Sequence, residues 1–138
     1  MARILAIDYG KKRTGIAVTD TLQLIANGLC TVETHFLESW LKEYFEKEKV
    51  ERIVIGLPRQ LSGELSENAT RIITFEKRLA KLFPTIPVVE VDERFTSSLA
   101  HQTMLDGGLG KKARQNKALV DEISATIILQ SYMESQHL

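Results

Sequence analysis

Acidic residues at three places in the chain are positioned to do chemistry together. Asp8 closes the apolar run Ile4-Leu5-Ala6-Ile7, and Asp92-Glu93 closes the run Pro87-Val88-Val89-Glu90-Val91. Asp121 opens a segment in which Ala125, Ile128, Leu129 and Tyr132 share a helical face. A carboxylate at the end of a buried strand needs a compensating cation, so it points to chemistry rather than stability. Carboxylate and water oxygens suit the hard ions Mg²⁺ and Mn²⁺. Two such ions about 3.5–4 Å apart would activate a water and stabilise the departing oxygen of a phosphodiester. Strand side chains alternate, so only one of Asp92 and Glu93 can face the site. Each acid also has a plainer reading. Asp121 can be a helix N-cap, Glu93 can pair with Arg94 at the surface, and Asp8 can be a turn residue before Gly10.

Basic residues surround these acids in the sequence. Gly10-Lys11-Lys12-Arg13-Thr14-Gly15 has the two-glycine spacing of a P-loop. The rest of that motif is missing: Ile16 and Ala17 replace its Lys and Ser/Thr, and a strand rather than a helix follows. The segment reads as a hairpin turn whose Lys11, Lys12 and Arg13 either touch phosphates or are simply solvated. Arg59, Arg94 and the glycine-broken run holding Lys111, Lys112, Arg114 and Lys117 are further candidates for sequence-independent phosphate contacts. The net charge is zero, yet Glu33 to Glu51 holds six Glu against three Lys, while Asp106 to Lys117 holds four basic residues against one Asp. That polarity, rather than the total, is what a polyanion would sense.

The elements that must position these groups follow from periodicity. Arg3–Tyr9, Gly15–Asp20 and Asn27–Glu33 read as three strands in an antiparallel meander. Leu37, Trp40, Leu41, Tyr44 and Phe45 mark a first helix, Arg52–Leu57 a fourth strand, Ala69–Phe83 a second helix, and Pro87–Asp92 the last strand. A short helix from Thr96 or Ser97 to Leu105 and a long one from about Asn116 to Glu134 complete the chain. The expected architecture is an α/β layer structure on a mixed five-stranded sheet. The carboxyl ends of its first, fourth and fifth strands share one edge, where open α/β sheets bind ligands.

At 138 residues and 43% hydrophobic content, the chain is expected to form one domain over residues 1–138 with a true core. No apolar run reaches membrane-spanning length, and a soluble cytoplasmic protein is expected. The single Cys30 rules out an intramolecular disulfide and a multi-cysteine metal site, and reads as a small core residue. His35, His101 and His137 lack ligand spacing and read as surface residues.

Asp8-Tyr9-Gly10-Lys11-Lys12-Arg13-Thr14-Gly15-Ile16-Ala17-Val18 is one of four ordered motifs. Gly56-Leu57-Pro58 with Gly63, Asp92-Glu93-Arg94-Phe95-Thr96-Ser97, and Val120-Asp121 with Ala125 and Ile127-Ile128-Leu129 are the others. Together they resemble the YqgF family across nearly the whole chain. The resemblance implies a ribonuclease H-like fold with helices on both sheet faces, and kinship with Holliday junction resolvases. It also implies a nuclease maturing the precursor of small-subunit (16S) ribosomal RNA. Its acidic triad maps onto Asp8, Glu93 and Asp121, which selects Glu93 over Asp92. Ser124, where the family often has Ala, and the added acid Glu122 are mild departures.

The resulting expectation is a phosphodiesterase with two Mg²⁺ or Mn²⁺ ions held by Asp8, Glu93 and Asp121. It would act on precursor ribosomal RNA or branched DNA, in contact with a ribosomal precursor particle, as a monomer or weak homodimer. Two other classes stay open: a nucleic-acid binder without turnover, and an ATPase resembling the actin and sugar-kinase superfamily, whose usual second domain is missing.

Overall fold

A computed structural model describes residues 2–57, 67–92 and 116–136, with the side chains of Glu67 and Lys117 excepted. The expected meander is present. Strands β1 (Arg3–Asp8), β2 (Arg13–Thr19) and β3 (Ala26–Glu33) pair antiparallel in succession. Strand β4 (Val50–Leu57) then lies parallel beside β1, and β5 (Val88–Asp92) lies parallel beside β4. The order is β3-β2-β1-β4-β5, a mixed five-stranded sheet.

Parallel neighbours need crossover connections. The first carries a 3₁₀ turn (Thr34–Phe36) and helix α1 (Leu37–Lys47), and the second carries α2 (Glu67–Leu82). The ends Asp8, Leu57 and Asp92 therefore lie along one sheet edge.

Alternation along the strands divides the core between the two faces. Leu5, Ile7, Ile16, Ile53 and Ile55 pack with Leu37 and Leu41 of α1 and with Ile72, Phe75 and Leu79 of α2. Each fully buried aliphatic chain contributes about 1.5–3 kcal/mol. Trp40 stacks on Tyr44 at 5.1 Å, and Phe45 meets Phe83 edge-on at 4.8 Å, so aromatics close the outer rim of this layer. The opposite face is built from Ile4, Ala6, Ala17 and Val54. Helix α3 (Lys117–Gln136) covers it with the expected stripe of Ala125, Ile128, Leu129 and Tyr132.

Helix α3 begins earlier than Asp121. Its N-cap is Asn116, whose Oδ1 accepts the Leu119 N–H at 3.2 Å. The capping reading of Asp121 is thereby corrected: Asp121 sits inside the helix, one turn past the cap. The short helix expected at 96–105 and the glycine break at 107–110 lie outside the described residues. No described helix is long and apolar enough to cross a membrane.

Candidate active site

Asp8 is the last residue of β1, and its register partner on β2 is Gly15. The residues two and four before it, Ala6 and Ile4, face α3. Alternation therefore turns Asp8 toward α3 as well.

Gly15 brings the second carboxylate in. A Cβ at this position would overlap the carbonyl oxygen of Asp121 and crowd the Glu122 nitrogen. With no side chain there, the backbone of α3 rests directly on β2, and Asp121 comes to the same face and edge as Asp8. Two more features fix that approach. Thr31 of β3 donates its hydroxyl to the Ala118 carbonyl at 2.6 Å. Gly28 of β3 leaves room for Glu122, whose Oε1 would lie 2.6 Å from a Cβ there. Glu122 thus lies over β3, two strands away from β1.

Arg13 adds a cation. Its Nε donates to Asp121 Oδ2 at 3.1 Å, and the two side chains are 36% and 24% exposed. The hairpin that carries Arg13 is itself clamped. The Thr34 N–H donates to the Lys12 carbonyl at 2.9 Å, and the Thr34 hydroxyl donates to the Gly10 carbonyl at 2.7 Å. Since that hydroxyl has spent its proton, the buried Thr14 hydroxyl donates to Thr34 Oγ1 at 2.9 Å. A Cβ on Gly10 would overlap the Arg13 carbonyl oxygen, so the turn needs glycine. The strand continuing from this hairpin agrees with the rejection of a P-loop.

Asp92 faces the other way. Val89 and Val91 pack on the α3 side and Val88 on the α1/α2 side, so Glu90 and Asp92 share the α2 face. There Glu90 meets Glu76 of α2. Burial, then the Glu90 charge and hydrogen bond, push the Glu76 carboxyl up to about 7.

The remaining candidates divide plainly. Lys11 and Lys12 are exposed at the hairpin tip. Glu93, Arg59, Arg94, Lys111, Lys112 and Arg114 lie outside the described residues. Lys117 opens α3, and its side chain is not described. His35 is a surface residue as expected, with its side chain 70% exposed. Cys30 is half-buried, and burial followed by the Glu122 charge pushes its thiol up. Among the described residues no group of three or more acids, histidines or cysteines is gathered to hold a metal. What they do show is Asp121 resting on Gly15, the strand partner of Asp8, and ion-paired with Arg13.

Sequence reading did not foresee the Arg13–Asp121 contact or the use of Gly15 and Gly28. A signal for the glycines existed, since glycine inside a strand often marks close backbone approach.

Residues 2–135 match the family described as "RuvX: Holliday junction resolvase". The chain belongs to this family. Its RuvX-family relatives include a protein of Phocaeicola vulgatus named "Putative pre-16S rRNA nuclease", 68% identical over 99% of this chain and 98% of the relative. Proteins of the same name occur in Bacteroides fragilis, 64% identical over both full lengths, and in Flavobacterium johnsoniae, 60% identical over 99% of each. Among solved structures, Thermus thermophilus RuvC in complex with a Holliday junction substrate aligns with a TM-score of 0.56. That alignment has 17% identity and covers 96% of each chain. The fold is the ribonuclease H-like class expected for this RuvX-family member.

Proposed function

We propose that this RuvX-family protein is a divalent-metal-dependent nuclease that hydrolyses phosphodiester bonds of precursor 16S ribosomal RNA. The observation that carries the reading is the bare backbone at Gly15, which lets Asp121 approach the sheet on the face and edge where Asp8 ends β1. The name shared by the full-length relatives supplies the substrate class.

The residues fit a metal site. The donors are carboxylates, the set that hard divalent ions select. The guanidinium of Arg13 already lies against Asp121, so the position accommodates positive charge. Asp8 and Asp121 would hold Mg²⁺ or Mn²⁺, with Glu93 as the third ligand. A bound ion there would supply an acidified water and neutralise charge on the phosphodiester. The protein's own part is to fix the two carboxylates on rigid elements. Asp8 ends a strand flanked by β2 and β4, and Asp121 is held by a helix seated on glycine. Lys11 and Lys12, with Arg59, Arg94, Lys111, Lys112, Arg114 and Lys117, would hold the nucleic-acid backbone by charge. We read residues 1–138 as one nuclease domain, acting in the cytoplasm on a ribosomal precursor particle.

Branched DNA is the second reading, favoured by the description of the family as Holliday junction resolvases. Purified protein with Mn²⁺ is to be offered labelled precursor RNA and a labelled four-way junction in parallel. Faster cleavage of the RNA is expected. Asp8→Asn should lower cleavage at least about 100-fold, the scale of losing one preorganised catalytic group, without moving the thermal midpoint. A mutant that cuts as the wild type does would remove Asp8 from the mechanism. Metal-independent binding without any cutting would make the protein a binder rather than an enzyme.

A further inference from the structure

On the opposite side of the sheet edge from Asp121 lies a crater of about 180 Å³ between the 3₁₀ turn and α2. Its walls include Tyr9, Thr34, Arg71, Thr74 and Arg78. At about 30 Å³ per water it holds roughly six waters, enough for a phosphate group and part of its hydration. Its place follows from the chain. Tyr9 directly follows Asp8, and successive side chains at a strand end leave on opposite sides. The crater therefore adjoins the Asp8 edge while facing away from α3.

The crater is built rather than incidental. Its floor is the stacked pair Tyr9–Phe75, with ring centroids 4.7 Å apart. Asn68 Nδ2 donates to the Tyr9 carbonyl at 3.1 Å, tying the start of α2 to the end of β1. Thr34, on the opposite wall, is the residue that clamps the Gly10 hairpin. The hairpin, β1 and α2 thus share one rigid frame.

Charge decides what the crater takes. Among the described residues Glu38 is the one acid on its walls, and Arg78 neutralises it through both Nε and a second nitrogen at 3.1 Å from Glu38 Oε2. His35, also on the wall, has its Nε2 3.7 Å from the carboxylate of Glu33, which does not line the crater. Arg71 is exposed and forms no ion pair among the described residues. Its charge and that of Glu38 both reach the Tyr9 hydroxyl. One uncompensated guanidinium beside a phenol hydroxyl suits a single phosphate.

We propose that this crater binds a backbone phosphate of the nucleic-acid strand adjacent to the segment that lies at Asp8, with Arg71 as the principal contact and Tyr9 as a second donor. The inference rests on the reading that a nucleic-acid strand occupies the Asp8 edge. Arg78 serves to cancel Glu38, which would otherwise repel that phosphate.

Binding of a fluorescent single-stranded RNA, followed by anisotropy in EDTA over a range of salt, tests this without any cleavage. Arg71→Ala should weaken binding several-fold. It should also reduce the slope of log affinity against log salt by about 0.7, the contribution of one phosphate on a single strand. Arg71→Lys should restore the slope, since it restores the charge. Glu38→Gln should act in the opposite direction and tighten binding, because it frees the charge of Arg78. Wild-type protein that does not bind the RNA, or Arg71→Ala with unchanged affinity and slope, overturns the proposal. So does an equal loss of binding in Arg71→Ala and Glu38→Gln, which would assign the effect to packing. Because the measurement needs no turnover, a protein that binds through Arg71 but never cuts would refute the nuclease reading and leave the crater standing.

Discussion

The two faces of the sheet are built to different tolerances. Toward α1 and α2 the strands present Leu5, Ile7, Ile16, Ile53 and Ile55, large side chains that hold the helices off the backbone. Toward α3 they present Ile4 and Val54 but also the small residues Ala6, Gly15, Ala17 and Gly28, and over β2 and β3 the helix comes down onto the strands themselves. The thick face is a volume to be filled, and aliphatic substitutes of similar size can fill it again. The thin face is a position to be held. It sets where Asp121 stands relative to Asp8, and a single added methyl group would displace it. Stability and site geometry are thus assigned to opposite sides of one sheet.

Breaking the thin face should have the largest effect on function. Gly15→Ala would drive α3 off β2 at Asp121, with an expected stability loss of about 1–3 kcal/mol or more from overpacking. Cleavage and divalent-ion affinity should fall further than stability alone explains. Urea unfolding alongside Mn²⁺ titration checks this, and a Gly15→Ala protein with wild-type ion affinity would contradict the close-approach argument. Gly28→Ala should be milder, because its obstacles are the side chains of Glu122 and Thr126 rather than backbone.

Breaking the thick face should cost stability first. Leu5→Ala or Ile55→Ala removes a fully buried side chain, and about 2–5 kcal/mol of destabilisation is expected. Ion affinity of the folded fraction should be retained, which is the contrast with Gly15→Ala. Equal loss of ion affinity in both sets would erase the distinction between the faces.

The thick face also carries a pH dependence. Glu76 has one carboxylate oxygen buried without a hydrogen-bond partner among the described residues, and its pKa is pushed up to about 7, mainly by burial. The folded state therefore holds this proton more tightly than the unfolded chain. Its contribution is fully present below the ordinary carboxyl range and is lost as pH rises through about 7. Glu76→Gln, whose amide can donate to Glu90, should raise the urea midpoint at pH 8 and change it little at pH 4. A gain of the same size at both pH values would point to a cause other than ionisation.

The smallest effect is expected at the outer side of the site. Arg13→Gln removes a part-exposed ion pair with Asp121, and about 0.2–1 kcal/mol of stability should go with it. The loss should shrink as salt is raised, which thermal melts at two ionic strengths would show.

Much of this molecule is legible in its sequence because much of it is locally determined. The continuous apolar runs through Ile7 and Ile55 mark strands, and the helical stripe from Ala125 to Tyr132 marks the buried face of α3. Both depend only on neighbours a few residues apart. Asp8 stands out for the same reason, as an acid ending an apolar run. The choice between Asp92 and Glu93 shows where that reasoning stops. Alternation says that the two point apart, but which of them points toward α3 depends on how β5 packs. The structure turns Asp92 toward α2.

The sequence by itself determined the strands, the helices and the acids at their ends. Only the tertiary structure decided that the last helix rests on Gly15, that Glu122 is turned over β3, and that Arg13 is spent on Asp121. The physical reason is distance along the chain. Periodicity and capping are written in adjacent residues, whereas a close approach exists only where two remote segments meet. A glycine at such a meeting point looks the same, in sequence, as a glycine in a turn.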